Sequence, residues 1–255
     1  MTQSERRRSK VRLDQLLVDR GLAASRDRAR ALILAGEVLV DGQPAPKAGV
    51  AVDPTLSIAL TQPDHPYVSR GGLKLAHALD HFALNVMSGQ ALDIGASTGG
   101  FTDVLLTRGA ACVVALDVGH GQLAWSLRTD PRVIVLERIN ARTLLPAHLP
   151  ERYRSFDLIT IDVSFISLRL VLPALVPLLA PGGAMVALVK PQFEAGRSEV
   201  GKGGIVRDPA VHERVVAEVG TAAEGLGLRV AGIIPSPIRG ADGNREFLML
   251  LRRKD

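Results

Sequence analysis

Four charged residues stand where apolar runs begin or end. Asp162 closes Phe156-Asp157-Leu158-Ile159-Thr160-Ile161, and Lys190 closes Ala184-Met185-Val186-Ala187-Leu188-Val189. Glu246 opens the last apolar run, and Lys74 follows the pair Gly71-Gly72 at the start of a helical pattern. A lysine after six apolar residues is an odd choice for structure alone. Lysines and carboxylates aimed at one crevice can orient a hydroxyl and take up its proton. In an open parallel sheet such a crevice lies beyond the carboxyl ends of the strands.

The run Leu92-Asp93-Ile94-Gly95-Ala96-Ser97-Thr98-Gly99-Gly100-Phe101-Thr102 points to a nucleotide in that crevice. An apolar strand stops at a loop of small residues, and a helix-like pattern from Phe101 to Leu106 follows. Glycines let backbone N–H groups approach a ligand, and the new helix presents its positive end. Asp117 stands 22 residues after Gly95, at the end of a second apolar run from Ala111 to Leu116. A carboxylate there accepts hydrogen bonds from a ribose. The glycines fall as G-x-x-x-G-G, not as the G-x-G-x-x-G of dinucleotide sites. The loop suits S-adenosylmethionine, whose methionine end carries an amine and a carboxylate, better than a pyrophosphate.

These groups need elements to hold them. Apolar runs predict strands at 91–94, 111–117, 132–136, 156–162 and 184–189, and helical spacing predicts helices at 101–107, 121–128, 167–179 and 208–224. A helix from Leu73 to about Phe82 precedes them, and a hairpin-like edge pair, 228–234 and 246–251, follows. The alternation predicts an α/β fold: a mostly parallel, seven-stranded, Rossmann-like sheet covered on both faces.

The first third of the chain is different. Residues 1–75 hold 12 Lys/Arg against 8 Asp/Glu, and the remainder hold 19 against 18, so the excess positive charge is N-terminal. That asymmetry points to an anionic partner. Residues 1–10 read as a basic flexible arm that includes Arg6 and Arg7. Val11 to Arg20 has helical spacing, Gly21 ends it, and Ser25 caps a second helix to about Ala35. Val38-Leu39-Val40 and Asp41-Gly42 read as a strand and a tight turn, with a further strand near Leu56–Leu60.

The pattern Arg12-Leu13-Asp14, Gly21-Leu22-Ala23, Ser25-Arg26, Ala29, Leu32-Ile33, Gly36, Val38, Val40-Asp41-Gly42 resembles the S4-type RNA-binding domain. The expected division is an S4-type domain over 11–60, a linker over 61–68 and a catalytic-type domain over 69–255. Arg6, Arg7, Arg12, Arg20, Arg26, Arg28 and Arg30 are the expected RNA contacts, with the helical arginines projecting their forks toward phosphates. The glycine loop resembles the cofactor loop of FtsJ-like RNA ribose methyltransferases. The segments Asp117–Leu123, Asn140-Ala141-Arg142, Asp162–Leu168, Lys190–Glu194 and Ser69–Leu75 are similar to one branch of these, the TlyA family.

That resemblance covers nearly the whole chain. It implies S-adenosylmethionine held by Asp93, Gly95, Ala96, Ser97, Thr98, Gly99, Gly100, Phe101, Asp117, Val118, Asn140, Ala141 and Asp162. It implies a catalytic set of Lys74, Asp162, Lys190 and Glu246, the four residues already singled out, and 2′-O-methylation of cytidine in ribosomal RNA. Lys190 is expected to relieve the ribose hydroxyl of its proton, with Lys74 and the sulfonium as neighbouring cations. Asp162 would orient Lys190, and Glu246 would fix Lys74 or the ribose. The partners expected are ribosomal RNA or ribosomal subunits, met by a cytoplasmic monomer.

Rival chemistries fit less well. Amine methyltransferases commonly carry Asn/Asp-Pro-Pro-aromatic after the fourth strand; here the slot is Asp162-Val163-Ser164-Phe165. Carbon-5 methylation of cytosine needs a thiol nucleophile, and the single cysteine, Cys112, lies inside an apolar run. A membrane-lytic protein, as the hemolysin name used in this family suggests, needs an amphipathic or spanning element. The 20 uncharged residues Leu170 to Val189 are broken by Pro173, Pro177, Pro181, Gly182 and Gly183. An inert RNA-binding protein would not need the intact loop and tetrad. The 6 histidines show no metal-ligand spacing, so no metal is expected.

Overall fold

The computed structural model describes residues 10–34, 36–61, 65–240 and 243–254. Arg6 and Arg7 of the basic arm lie outside them. The chain divides into two compact units, Met1–Pro66 and Tyr67–Asp255.

The first unit contains β1 (Val11–Arg12), α1 (Leu13–Asp19), α2 (Arg26–Leu34), β2 (Val38–Val40), β3 (Gln43–Pro44), β4 (Ala51–Val52) and β5 (Ile58–Leu60). Strand β2 pairs antiparallel with β3 and β5, and β1 pairs with β4. Leu13, Leu16 and Leu17 of α1 meet Ala29, Leu32 and Ile33 of α2 in one apolar cluster. Ser25 Oγ accepts from Arg28 N at 3.1 Å, which holds the start of α2. Asp41 and Gly42 have φ of +49° and +76°, as a two-residue hairpin turn between twisted strands requires.

The arginines of this unit do not project as the helical pattern predicted. Asp14 is fully buried on α1, and Arg12, Arg30 and Arg26 reach its Oδ2 at 2.9, 3.2 and 3.4 Å. Arg20 donates to the carbonyls of Pro54 and Leu56, and Arg28 to the carbonyl of His65. The cause is the packing of α1 on α2. It takes Asp14 out of water, and a buried carboxylate demands cationic partners. Arg30 also reaches Asp27 Oδ1 at 3.4 Å, so three guanidiniums and two carboxylates leave one positive charge, and the three forks remain about half exposed.

Asp14 is held well below the usual carboxylate range, first by the hydrogen bond from Arg12. A depressed carboxyl gives stability that is present above its unfolded pKa and lost as pH falls toward the folded one. Asp14→Asn should therefore destabilise the first unit by about 1–3 kcal/mol at neutral pH. Urea unfolding of the full chain should show the gap closing as pH drops below about 4.

The second unit runs α3 (Gly71–His81), β6 (Gln90–Ile94), α4 (Gly100–Thr107), β7 (Cys112–Asp117), α5 (Trp125–Arg128), β8 (Val133–Glu137), β9 (Phe156–Ile161), α6 (Leu168–Leu175), β10 (Leu179–Val189), α7 (Pro191–Glu194), α8 (Pro209–Gly225), β11 (Leu228–Pro235) and β12 (Phe247–Arg253). Its seven-stranded sheet has the order β11-β12-β10-β9-β6-β7-β8. Strands β8, β7, β6, β9 and β10 are parallel, and β12 runs antiparallel to both of its neighbours. Two apolar clusters flank the sheet, one under α6 and α8 and the other under α3 and α4.

Two expectations change. The helix predicted at 121–128 shrinks to α5, because Gly119 N and Gly121 N donate to the carboxylates of Asp117 and Glu137 rather than to helix carbonyls. The helix predicted at 167–179 ends at Leu175 in a short 3-10 turn, Val176–Leu178, where Pro177 has no N–H to give. The C-terminal pair forms the expected antiparallel edge, with β11 outermost and paired to β12. Strand β12 is inserted between β10 and β11, so the residues just before it face the site.

Candidate active site

The strand register assembles the four charged residues. Val189 of β10 pairs with Phe247 of β12, so the next residues outward, Lys190 and Glu246, face one another across the strand ends. Glu246 binds Lys74 Nζ through Oε2 at 2.5 Å, and both side chains are buried. Lys74 is delivered by α3, whose first turn packs on the start of α4: a methyl group at Gly100 would lie 2.4 Å from Ser69 Oγ and 2.9 Å from Gly72 N. On the other side, Lys190 Nζ lies 2.6 Å from Asp162 Oδ1 and donates to Ser164 Oγ at 2.9 Å. The contact with Asp162 is an ion pair outside hydrogen-bond angles, and no other described residue donates to that oxygen. Charges therefore alternate in the order Lys74, Glu246, Lys190, Asp162. Of the two partners expected for Glu246, Lys74 or the ribose, the structure pairs it with Lys74.

Asp162 also walls a cleft of about 500 Å³ at the carboxyl ends of β6, β7 and β9. The backbone N–H of Asp162 donates to Ile94 O at 2.9 Å, which extends the β9–β6 pairing past the strand. Gly95 has φ +81°, and a Cβ there would lie 2.4 Å from Asp162 O, so only glycine fits. Of the residues expected at the cofactor, Gly95, Ser97, Asp117, Val118, Asn140, Ala141 and Asp162 line the cleft. Asp117 takes Ser97 N on Oδ2 at 2.9 Å and Gly119 N on Oδ1 at 2.7 Å, which fixes its carboxylate at the rim.

Asp93, Thr98, Gly99, Gly100 and Phe101 do not line it, and Ala96 lines a smaller neighbouring hollow. Phe101 is packed in the core under α3 and α4. Asp93 is fully buried and takes the hydroxyls of Thr102 at 2.6 Å and Thr160 at 3.0 Å. It ties the first turn of α4 to β6 and β9. Asp93 lies on β6, where successive side chains point to opposite faces, and Phe101 lies on α4, whose packed face is in the core. Leu116, Gln122, Ile139, Val163, Ser164, Phe165, Ile166 and Val171 complete the lining and were not singled out from the sequence as cofactor contacts. Most follow strand ends, and that position was their only signal.

The loop after Asp162 holds one strained residue. Phe165 has φ +64°, its ring is 91% exposed, and it lies 5.1 Å from the ring of Phe193. A bulky side chain in this region costs roughly 1–3 kcal/mol and persists only where neighbours impose it. Tyr67, by contrast, packs under Gly72, where a Cβ would meet its ring at 2.6 Å. The apolar walls, the aspartate at the rim and the backbone loop suit an adenosyl group carrying an amino acid. Among the described residues no group of three or more His, Cys, Asp and Glu could hold a metal, and no helix is long and apolar enough to cross a membrane.

The strand order and the cleft at the β6 end define the second unit as an S-adenosylmethionine-dependent methyltransferase fold. The same fold is seen in a structure named "putative S-adenosylmethionine dependent methyltransferase from Listeria monocytogenes", with a TM-score of 0.54 at 16% identity over 73% of this chain and all of that one. Residues 67–253 match the FtsJ-like methyltransferase family, residues 11–58 match the S4 domain, and the chain belongs to these families. It is 52% identical over 244 residues to the 16S/23S rRNA (cytidine-2′-O)-methyltransferase TlyA of Mycobacterium tuberculosis, across 95% of this chain and 90% of that protein. It is 41% identical to Hemolysin A of Brachyspira hyodysenteriae, across 93% of this chain and 98% of that one. A solved structure named "Putative hemolysin from Streptococcus thermophilus" superposes with a TM-score of 0.76 at 46% identity, across 97% of this chain and 90% of that one.

Burial raises the Asp93 carboxyl to about 6, against the hydroxyls of Thr102 and Thr160, and the charge of Asp162 adds to the rise. The folded state then binds more protons than the unfolded chain between about pH 4 and about 6, so stability falls as pH rises through that window and levels off above it. The change is worth about 3 kcal/mol. Plotting the stability of the native chain minus that of Asp93→Asn against pH should give a curve that falls through this window; a flat difference would show that Asp93 does not titrate there.

Proposed function

We propose that the protein transfers the methyl group of S-adenosylmethionine to the 2′-hydroxyl of cytidine in ribosomal RNA of the small subunit, the large subunit or both. The observation that carries this reading is the double use of Asp162. It walls the cofactor cleft and also holds Lys190, so donor and proton-handling group share one edge of the sheet. The cytidine ribosyl target of the Mycobacterium tuberculosis relative supports the choice of substrate.

S-adenosylmethionine supplies a methyl group on a positively charged sulfur, open to attack by an oxygen. The chain's own residues do the rest. Gly95, Ser97 and Asp117 hold the donor at the strand ends, with Val163 and Ile166 as apolar walls that exclude water. Lys190 first gives a proton to solvent; the neutral amine then steers the hydroxyl and takes up its proton as the oxygen bonds to the methyl carbon, and Asp162 and Ser164 hold Lys190 in place. Glu246 fixes Lys74 so that its ammonium faces the site from α3. The exposed ring of Phe165 offers a face on which a base can stack. The Arg12, Arg26 and Arg30 forks, with Asp14 and Asp27, keep one net positive charge and three half-exposed guanidiniums for the RNA backbone. The RNA and the donor meet on a chain that works in the cytoplasm.

Lys190→Ala should lower methyl transfer by about 100-fold or more, while calorimetry shows S-adenosylmethionine bound within about threefold of the native affinity, because Lys190 does not line the cleft. Native activity in that variant would remove Lys190 from the mechanism. Labelled methyl transfer to small subunits, large subunits and free ribosomal RNA, with alkaline hydrolysis of the product, tests the reaction itself. A 2′-O-methyl blocks cleavage at the modified nucleotide; a labelled product that alkali still cuts would make this a base methyltransferase.

A further inference from the structure

Glu194 ends α7, the turn that begins beside Lys190, and its side chain is buried. Oε2 accepts from Ser167 Oγ at 2.5 Å, and Oε1 accepts from Leu168 N at 2.7 Å. Arg169 closes the arrangement from outside, with Nη2 donating to Glu194 O at 3.2 Å and Nε 3.6 Å from Oε2. Burial pushes the carboxyl above its ordinary value, and Ser167, the Leu168 amide and Arg169 oppose that push. A buried carboxylate is a costly fastener. What a carboxylate adds at the start of α6 is direction, through two hydrogen bonds of fixed geometry.

The segments it joins are those that hold the Lys190–Asp162 pair. Residues 163–167 leave Asp162, and they carry Ser164, which accepts from Lys190. One end of this loop is anchored where Asp162 N donates to Ile94 O, and Glu194 anchors the other end at Ser167 and Leu168. Between the anchors lies Phe165 with its positive φ, a conformation that relaxes unless both ends are held. We infer that Glu194 is a positioning residue for methyl transfer: it clips the cleft loop to the turn after Lys190 and thereby sets where Ser164 and Asp162 hold the Lys190 ammonium. This rests on the methyltransferase reading above.

The test compares Glu194→Ala, Glu194→Gln, Ser164→Ala and the double variant Ser164→Ala/Glu194→Ala in the full chain. Methyl transfer to ribosomal subunits gives kcat and KM, and hydrogen exchange follows the amides of residues 163–168. Glu194→Ala should lower kcat at least tenfold with less than threefold change in KM for the subunit. Glu194→Gln, which keeps an acceptor for Leu168 N, should fall between it and the native chain. The double variant should lose little more than Glu194→Ala alone, because both changes act through Lys190. The amides of 163–168 should exchange faster in Glu194→Ala. A kcat within twofold of native, or losses that multiply in the double variant, overturns the inference. Should Glu194→Ala fail to fold, Ser167→Ala removes one bond of the clip and is judged by the same criteria. A native chain with no methyl transfer at all defeats the methyltransferase reading instead, and the exchange data then decide the clip: unchanged protection at 163–168 overturns it, and faster exchange supports it.

Discussion

Charge taken out of water must meet opposite charge, and the active edge of the sheet is built around that demand. Lys74 and Glu246 are both buried, and Lys190 and Asp162 are mostly so. Two lysines side by side at this depth would repel. The register of β10 against β12 prevents that, because it places Glu246 opposite Lys190, and Glu246 in turn takes Lys74. Buried ion pairs are poor sources of stability, since desolvation offsets most of the attraction. Two of them at one strand edge therefore speak for chemistry more than for folding.

The remaining architecture serves this row of charges. The parallel core of five strands brings Gly95, Asp117 and Asp162 to one end, where the cleft opens. Close backbone contacts then connect the parts. Gly95 lets β6 turn against Asp162, and Gly100 lets α4 start against Gly72 of α3, which carries Lys74. Asp93 fixes α4 to the two central strands from beneath. Cofactor loop and lysine helix are thus held by the same few atoms, so movement of either is felt by both.

The first unit solves a related problem with the opposite balance. One buried carboxylate, Asp14, gathers three guanidiniums that the helical pattern had spread over a surface. Under the proposed RNA-binding role, ordering them in advance lowers the side-chain entropy cost of meeting phosphate. The result is a compact positive cluster rather than a row of free arms, and its charge is set by Asp14 as much as by the arginines.

Much of this was legible in the residues. Strands and helices followed the apolar runs, because a strand buried on both faces reads as a continuous run and a surface helix as a repeat. The glycine loop, Asp117 and the four charged residues stood out because polar groups at the ends of apolar runs have few structural reasons to be there. What the sequence could not show was direction and partnership. Asp93 and Phe101 belong to the loop motif yet face the core, because strand pleat and helix packing decide which side chains reach the cleft. Glu194 closes the segment Lys190–Glu194, but its partners, Ser167 and Leu168, lie more than twenty residues earlier in the chain. The insertion of β12 between β10 and β11, which brings Glu246 to Lys190, depends on pairing between segments more than fifty residues apart. Local composition set which residues were available for chemistry; only long-range packing decided which of them meet.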